Sequence, residues 1–129
     1  MNYLWVGMGG ALGSMARLWV SGWFARHLGE AHGTLIVNVT GSFLIGAIAT
    51  WTGSDGRWLL PPGGRLFFMA GLLGGYTTFS AFSLQTLDLA RQGHWVGAGT
   101  NVVSSIVCCL VAVWLGYWAG IMLAPGKGE

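Results

Sequence analysis

Long apolar segments separated by short polar ones dominate the chain. Four such segments cover residues 2–24, 34–51, 66–89 and 95–123. About 20 consecutive apolar residues are enough for a helix to cross the hydrocarbon core of a bilayer. The pattern therefore predicts one all-α membrane domain over residues 1–129, with four transmembrane helices and little chain left for a soluble domain.

Composition supports the same prediction. Of the 129 residues, 53% are hydrophobic and 8% are charged, whereas about 25% of residues are charged in an ordinary soluble domain. The first apolar segment lacks the basic start and the small-residue cleavage site of a secretory signal peptide. We therefore expect a multi-pass integral protein of the cell's inner (plasma) membrane that contacts lipid and binds no nucleic acid.

Polar connections are predicted at residues 25–33, 52–65 and 90–94. The second is the clearest interruption, because the run Pro61, Pro62, Gly63 and Gly64 is not expected to continue a helix.

Basic residues are divided evenly between the two sides of the predicted membrane domain. One side carries Arg57, Arg65 and Lys127, and the other carries Arg17, Arg26 and Arg91. An excess of Lys and Arg normally decides which side is cytoplasmic. A chain without that excess can insert in both orientations, so an antiparallel homodimer becomes possible.

Glycine pairs with GxxxG spacing occur in three of the four segments. They are Gly9/Gly13, Gly71/Gly75 and Gly116/Gly120. Such pairs let helix backbones approach closely in lipid, where no hydrophobic force drives helix association. They predict a tightly packed bundle.

The stretch GGYTTFSAFS, residues 74–83, is unusual inside an apolar segment. Its glycines and threonines weaken a helix, and an interrupted helix exposes amides and carbonyls that lipid cannot satisfy. An interruption is therefore expected only where it lines a cavity or binds an ion. Phe79 and Phe82 share one face there, and the positive edges of their rings can attract a small anion.

Neutral polar side chains are also predicted at membrane depth. Asn38 lies in the second segment, and two strips run along the fourth: Asn101, Ser105 and Cys109, and beside it Thr100, Ser104 and Cys108. Such residues face a partner helix or a water-filled path. Both interpretations, packing and permeation, remain open from the pattern alone.

Residues 71–83, GLLGGYTTFSAFS, resemble the GxxGGxTTFSTFS signature of the Fluc fluoride channels, the CrcB family. GGALGSMARLW in the first segment and GTLIVNVTGSFLIG in the second resemble the same family. The resemblance implies a third helix broken mid-membrane and an antiparallel, dual-topology homodimer with two fluoride pores at its interface. The implied function is passive fluoride export, which lowers cytoplasmic fluoride without a catalytic group.

The resemblance also implies a role for individual residues. Its fluoride pore corresponds here to Asn38, Phe79, Ser80, Phe82, Asn101, Ser105 and Cys109. Arg17 corresponds to a vestibule arginine. A structural Na⁺ at the dimer centre would be held by backbone carbonyls of Gly74 and Thr77 from each subunit, since oxygen ligands suit a hard cation.

Four positions depart from the family pattern, namely Ala81, Gln85, Asn101 and Cys109, and they bear on the conduction rate and the ion path. Two other functions are the alternatives. A small multidrug-resistance-like transporter needs an acidic residue in its first span, and this first segment has none. A non-conducting membrane assembly subunit would use the glycines and the polar interruption for packing only.

Overall fold

The computed structural model describes residues 1–52 and 60–123. Two positions of the charge count, Arg57 and Lys127, lie outside the described residues. In the described part the chain is helical, with short connections between the elements.

Helices α1 (Asn2–Leu28) and α2 (Glu30–Trp51) are joined by Gly29 alone. Gly29 has φ of 99°, a conformation that costs glycine little because it carries no Cβ. The connection predicted over residues 25–33 is therefore reduced to one residue, and the two helices extend almost to their junction.

The third apolar segment begins with α3 (Pro62–Arg65) and continues as a π-helical segment (Leu66–Leu73) and α4 (Gly74–Tyr76). The connection predicted over residues 52–65 extends too far, because Pro62–Arg65 is already helical. Pro62 occupies the first turn of α3, where a missing N–H removes no helical hydrogen bond and the fixed φ favours the helix. The proline starts a helix here.

Two residues in extended conformation follow α4. Thr77 has φ and ψ of −81° and 156°, and Thr78 has −150° and 110°. Helix α5 (Phe79–Arg91) then leads through residues 92–94 into α6 (Trp95–Leu123).

Three helical stretches of the described residues are long and apolar enough to cross a membrane, which supports a multi-pass integral protein. They are Glu30–Trp51, Pro62–Arg91 and Trp95–Leu123. Helix α1 has 27 residues, enough for a span by length, but it does not reach the hydropathy of the other three. That α1 crosses the membrane remains a prediction.

Close backbone contacts hold the helices together, as the glycine pairs predicted. A Cβ at Gly9 or Gly13 would collide with backbone atoms of the π-helical segment, and one at Gly75 would lie 2.6 Å from the Gly10 carbonyl oxygen. On the other side of the bundle, Gly116 is pressed against the backbone of α2 at Phe43. The predicted role of the GxxxG pairs is confirmed: α1 packs on the third segment and α6 on α2.

Candidate functional site

The extended residue Thr78 is paired with the side chain of Asn38 on α2. The Asn38 Nδ2 donates to the Thr78 carbonyl oxygen at 3.1 Å, and the Thr78 amide donates to Asn38 Oδ1 at 2.8 Å. Buried backbone groups without partners are costly, so Asn38 offsets the cost of leaving helical geometry at this position. The Thr78 hydroxyl caps α5 by accepting from the Ala81 amide at 3.3 Å.

These side-chain bonds leave two backbone carbonyls without their helical donors. In a continuous helix the Thr78 amide would donate to the Gly74 carbonyl, and the Ala81 amide to the Thr77 carbonyl. The first amide donates to Asn38 Oδ1 and the second to Thr78 Oγ1 instead. The carbonyls of Gly74 and Thr77 are therefore available to another partner.

A cavity of about 510 Å³, here called the aromatic cavity, opens beside the extended residues. Seven residues singled out from the sequence line it: Asn38, Gly74, Thr77, Phe79, Phe82, Ser105 and Cys109. They come from α2, α4, the extended pair, α5 and α6. The fold thus brings together positions up to 71 residues apart in sequence, 38 and 109.

The two phenylalanines lie side by side but differ in exposure. Their ring centroids are 5.1 Å apart with planes inclined by 52°, which is within the usual range for interacting aromatic pairs. Phe82 is 8% exposed, whereas Phe79 is 78% exposed. Phe82 is part of the subunit's core, and Phe79 projects from its surface.

A second cavity of about 530 Å³, here called the polar cavity, lies between α1, α2 and α5. Arg17, Thr34, Ser80 and Gln85 are among its lining residues. Ser80 therefore lines a different cavity from the two phenylalanines beside it in sequence. The predicted vestibule residue Arg17 and the predicted pore residue Ser80 share this polar cavity.

Thr78 lines both cavities. Its hydroxyl oxygen lies 3.3 Å from the Ser80 hydroxyl oxygen. Since Thr78 Oγ1 also accepts from the Ala81 amide, its own proton can go to Ser80, which leaves the Ser80 proton free for a ligand. Thr78 is the residue shared between the aromatic and the polar cavities.

The fourth-helix strip is divided in the structure. Ser105 and Cys109 line the aromatic cavity. Asn101, 8% exposed, instead donates from Nδ2 to Thr86 Oγ1 at 2.8 Å, and Thr86 donates to the Phe82 carbonyl at 2.8 Å. Asn101 therefore joins α6 to α5 near Phe82.

The neighbouring strip of Thr100, Ser104 and Cys108 lines a separate shallow groove on α6. Of the two strips, only the first contributes to the aromatic cavity. Sequence spacing alone left this choice open.

Gln85 makes contacts that its sequence position did not predict. Its Nε2 donates to Thr34 Oγ1 at 2.8 Å and to the Glu30 carbonyl at 3.3 Å. The carbonyl can only accept, so the amide orientation is fixed, and Gln85 Oε1 is buried without a partner among the described residues. Gln85 ties α5 to the start of α2 at the polar cavity.

Sequence reasoning missed the apolar wall of the aromatic cavity. Ile45, Met69, Leu73, Ile106 and Leu110 line it. Aliphatic residues in membrane helices carry no pattern that separates a cavity wall from a lipid-facing surface. The one available signal was spacing, since Ile106 and Leu110 follow Ser105 and Cys109 by one residue.

Comparison with known proteins gives a consistent result over nearly the whole chain. The family model described as CrcB-like protein, Camphor Resistance (CrcB), matches residues 4–117. A protein of Opitutus terrae named "Fluoride-specific ion channel FluC" is 57% identical over 129 residues, which cover 98% of each chain. Proteins of the same name from Rhodospirillum rubrum and Methylocella silvestris are 52% and 50% identical, with 98% and 99% of this chain covered and 99% of each relative.

Proposed function

The chain belongs to the CrcB family, and from that premise we propose that it is a fluoride-selective channel of the plasma membrane. Relatives named fluoride-specific ion channels match nearly its full length. In this proposal fluoride leaves the cell passively, which lowers its cytoplasmic concentration. No step requires a nucleophile, a general base or ATP.

The observation that carries the proposal is the aromatic cavity. It places two phenylalanine rings, an asparagine, a serine hydroxyl and a thiol around one space, with no charged residue in its lining. Fluoride is small and strongly hydrated, so a pore must replace lost water with donors and ring edges. Neutral groups offer moderate attraction, which lets the ion leave again.

Hydrogen-bond donors remain available on both sides of Thr78. An amide NH₂ carries two protons, and Asn38 uses one for the Thr78 carbonyl. We assign the second to fluoride in the aromatic cavity. The Ser80 hydroxyl supplies a donor in the polar cavity, where Arg17 would raise the local anion concentration.

The pore is completed by a second subunit in this proposal. The strong exposure of Phe79 and the open side of the aromatic cavity suit an interface, because a lone subunit would present this polar break to lipid. The even division of basic residues favours an antiparallel arrangement. Two such subunits would form two equivalent pores along their interface, each lined by a helix broken at mid-membrane.

A structural Na⁺ at the dimer centre fits the freed carbonyls. Gly74 and Thr77 have both lost their helical amide donors to side-chain acceptors, and both line the aromatic cavity. Carbonyl oxygens are suitable ligands for a hard cation, and two subunits would supply four. Bound there, the cation would neutralise the partial negative charge of the two broken helices.

Efflux from liposomes tests the function directly. The purified protein is reconstituted in vesicles loaded with potassium fluoride or, in parallel, potassium chloride, and release is followed with ion-selective electrodes. We expect fast fluoride release and no chloride release above protein-free vesicles. Equal release of both ions, or of neither from vesicles shown to contain folded protein, would contradict the proposal.

A further inference from the structure

We propose that the Tyr76 hydroxyl is a positioning group that fixes the extended pair Thr77 and Thr78 for conduction, acting through Thr40. The inference deepens the proposed channel function and rests on it. Tyr76 ends α4, directly before the extended pair. Its hydroxyl oxygen lies 2.9 Å from Thr40 Oγ1 on α2.

The direction of this hydrogen bond follows from the partners of Thr40. Thr40 Oγ1 also lies 2.8 Å from the Ile36 carbonyl oxygen, which can only accept. A threonine hydroxyl has one proton, and the Ile36 carbonyl takes it. Tyr76 is therefore the donor to Thr40, a role that phenylalanine could not fill.

The Tyr76 ring is seated on the same helix. A Cβ at Gly41 would collide with the Thr77 methyl group and lie 3.2 Å from Tyr76 Cδ1. Gly41 thus leaves the space that the ring and the methyl group occupy. Residues 38–41, about one turn of α2, contact the whole segment from residue 76 to residue 78.

Two anchors from α2 consequently hold the ends of the segment 76–78, in addition to the hydrogen bonds that the Thr77 amide and hydroxyl donate to the Leu73 carbonyl. Asn38 pairs with the backbone of Thr78, and Thr40 holds the Tyr76 side chain. Thr77, which lines the aromatic cavity, lies between them. With the Tyr76 anchor lost, the segment would keep the Asn38 pairing and the Thr77 bonds to Leu73 but lose its tie to Thr40, so that residues 76–78 could shift relative to α2 and change the cavity geometry.

The test is a double-mutant cycle of Tyr76→Phe and Thr40→Val, with Thr40→Ser as the conservative rescue. Tyr76→Phe keeps the ring on Gly41 and removes only the donor. Tyr117→Phe is the matched control, because Tyr117 lies on α6 beside Trp114 and lines only a shallow groove there. Each variant is measured for amide exchange of the peptide spanning residues 74–80, for fluoride efflux, and for the ratio of fluoride to chloride release.

Each single variant should speed exchange at Thr78 by about fivefold and slow efflux by a similar factor, the equivalent of one ordinary hydrogen bond. The double variant should match the singles, because both remove the same bond. Thr40→Ser and Tyr117→Phe should behave as wild type. A looser cavity should also lower the ratio of fluoride to chloride release, which a loss of stability alone would not change.

Unchanged exchange and efflux in Tyr76→Phe, or strictly additive effects in the double variant, would overturn the positioning role. The two proposals also fail in different ways. A wild-type protein that releases no fluoride overturns the channel function and the conduction part of this inference, whereas the exchange measurement still decides whether the anchor exists.

Discussion

The two cavities on either side of Thr78 have similar volumes, about 510 and 530 Å³, but opposite chemistry. The aromatic cavity has phenyl rings and aliphatic walls with a few neutral donors. The polar cavity has hydroxyls and an amide, and its lining includes one residue of each charge, Arg17 and Glu30. Among the described lining residues, charged side chains occur at the polar cavity and not at the aromatic cavity.

The difference between the two cavities indicates how the proposed anion path would be divided between them. In the proposed channel, long-range attraction would come from Arg17 in the polar cavity, because a fixed cation attracts anions over several ångströms, and Glu30 in the same lining would oppose it. Short-range replacement of water would take place in the aromatic cavity, where contacts are weak and numerous. Thr78 and its partner Asn38 form the boundary, so changes there should have the largest effect.

Replacing Asn38, which pairs with Thr78 between the two cavities, is expected to cause the largest loss of fluoride efflux. Asn38→Leu would leave the Thr78 amide and carbonyl without partners, at about 1–3 kcal/mol for each group. We expect fluoride efflux to fall by about 100-fold or more, together with a lower melting temperature. Asn2→Leu, at an exposed position at the start of α1, is the matched asparagine control. Wild-type efflux from Asn38→Leu would show that the pairing is dispensable.

The aromatic cavity should tolerate little change in its rings. Phe82→Ile keeps an apolar side chain but removes the positive ring edge, and we expect efflux to fall by about tenfold. Phe68→Ile is the control, since Phe68 pairs with Phe67 in the π-helical segment and does not line the aromatic cavity. Equal efflux from Phe82→Ile and Phe68→Ile would show that the Phe82 ring does not contribute to the ion path.

The adjacent cysteines offer a natural comparison between the two strips of α6. Cys109 lines the aromatic cavity, whereas Cys108 lines the separate groove on α6. A negatively charged methanethiosulfonate should slow efflux severalfold in Cys108→Ala, which retains Cys109, by filling the cavity and repelling fluoride. Cys109→Ala should be insensitive to the reagent. The reverse pattern would assign the path to the strip of Thr100, Ser104 and Cys108.

The smallest effect on fluoride efflux is expected from a substitution in the polar cavity. Arg17→Gln should slow efflux by about threefold at low ionic strength, because one fixed charge contributes modestly to anion attraction. The effect should vanish near 1 M salt, where the Debye length is about 3 Å. Arg26→Gln is the control, since Arg26 donates to the Gly22 carbonyl and does not line the cavity. A loss that persisted at high salt would place Arg17 in direct contact with the ion.

The sequence predicted the helical fold because apolar length and glycine spacing are local patterns, and it singled out several residues that line the aromatic cavity. Apolar length predicted membrane helices, and glycine spacing predicted the backbone contacts that Gly9 and Gly116 make. Residues 71–83, which include the extended pair Thr77 and Thr78, carried a signature of their own. Asn38, Phe82 and Ser105 line one cavity although they lie in three different segments.

The sequence could not predict which neighbouring residue each polar side chain contacts. Asn101 and Ser105 share a helix face, yet Asn101 bonds to Thr86 while Ser105 lines the cavity. Ser80 lies between two ring positions in sequence and lines the opposite cavity. The start of α3 at Pro62 was missed because a proline interrupts the interior of a helix but is also favoured in a helix's first turn.

The single residue between α1 and α2 bears on how the chain enters the membrane. With Gly29 as the whole connection, the first two helices form a hairpin that has no loop to translocate separately. With α1 crossing the membrane as predicted, a hairpin in one orientation would carry its turn, with Arg26, His27 and Glu30, across the bilayer, and in the other orientation the N-terminal end of α1 and the C-terminal end of α2 would cross instead. In the antiparallel dimer that we propose, the short connection would fix α1 and α2 in opposite directions within each subunit, so that the two helices take their orientation together.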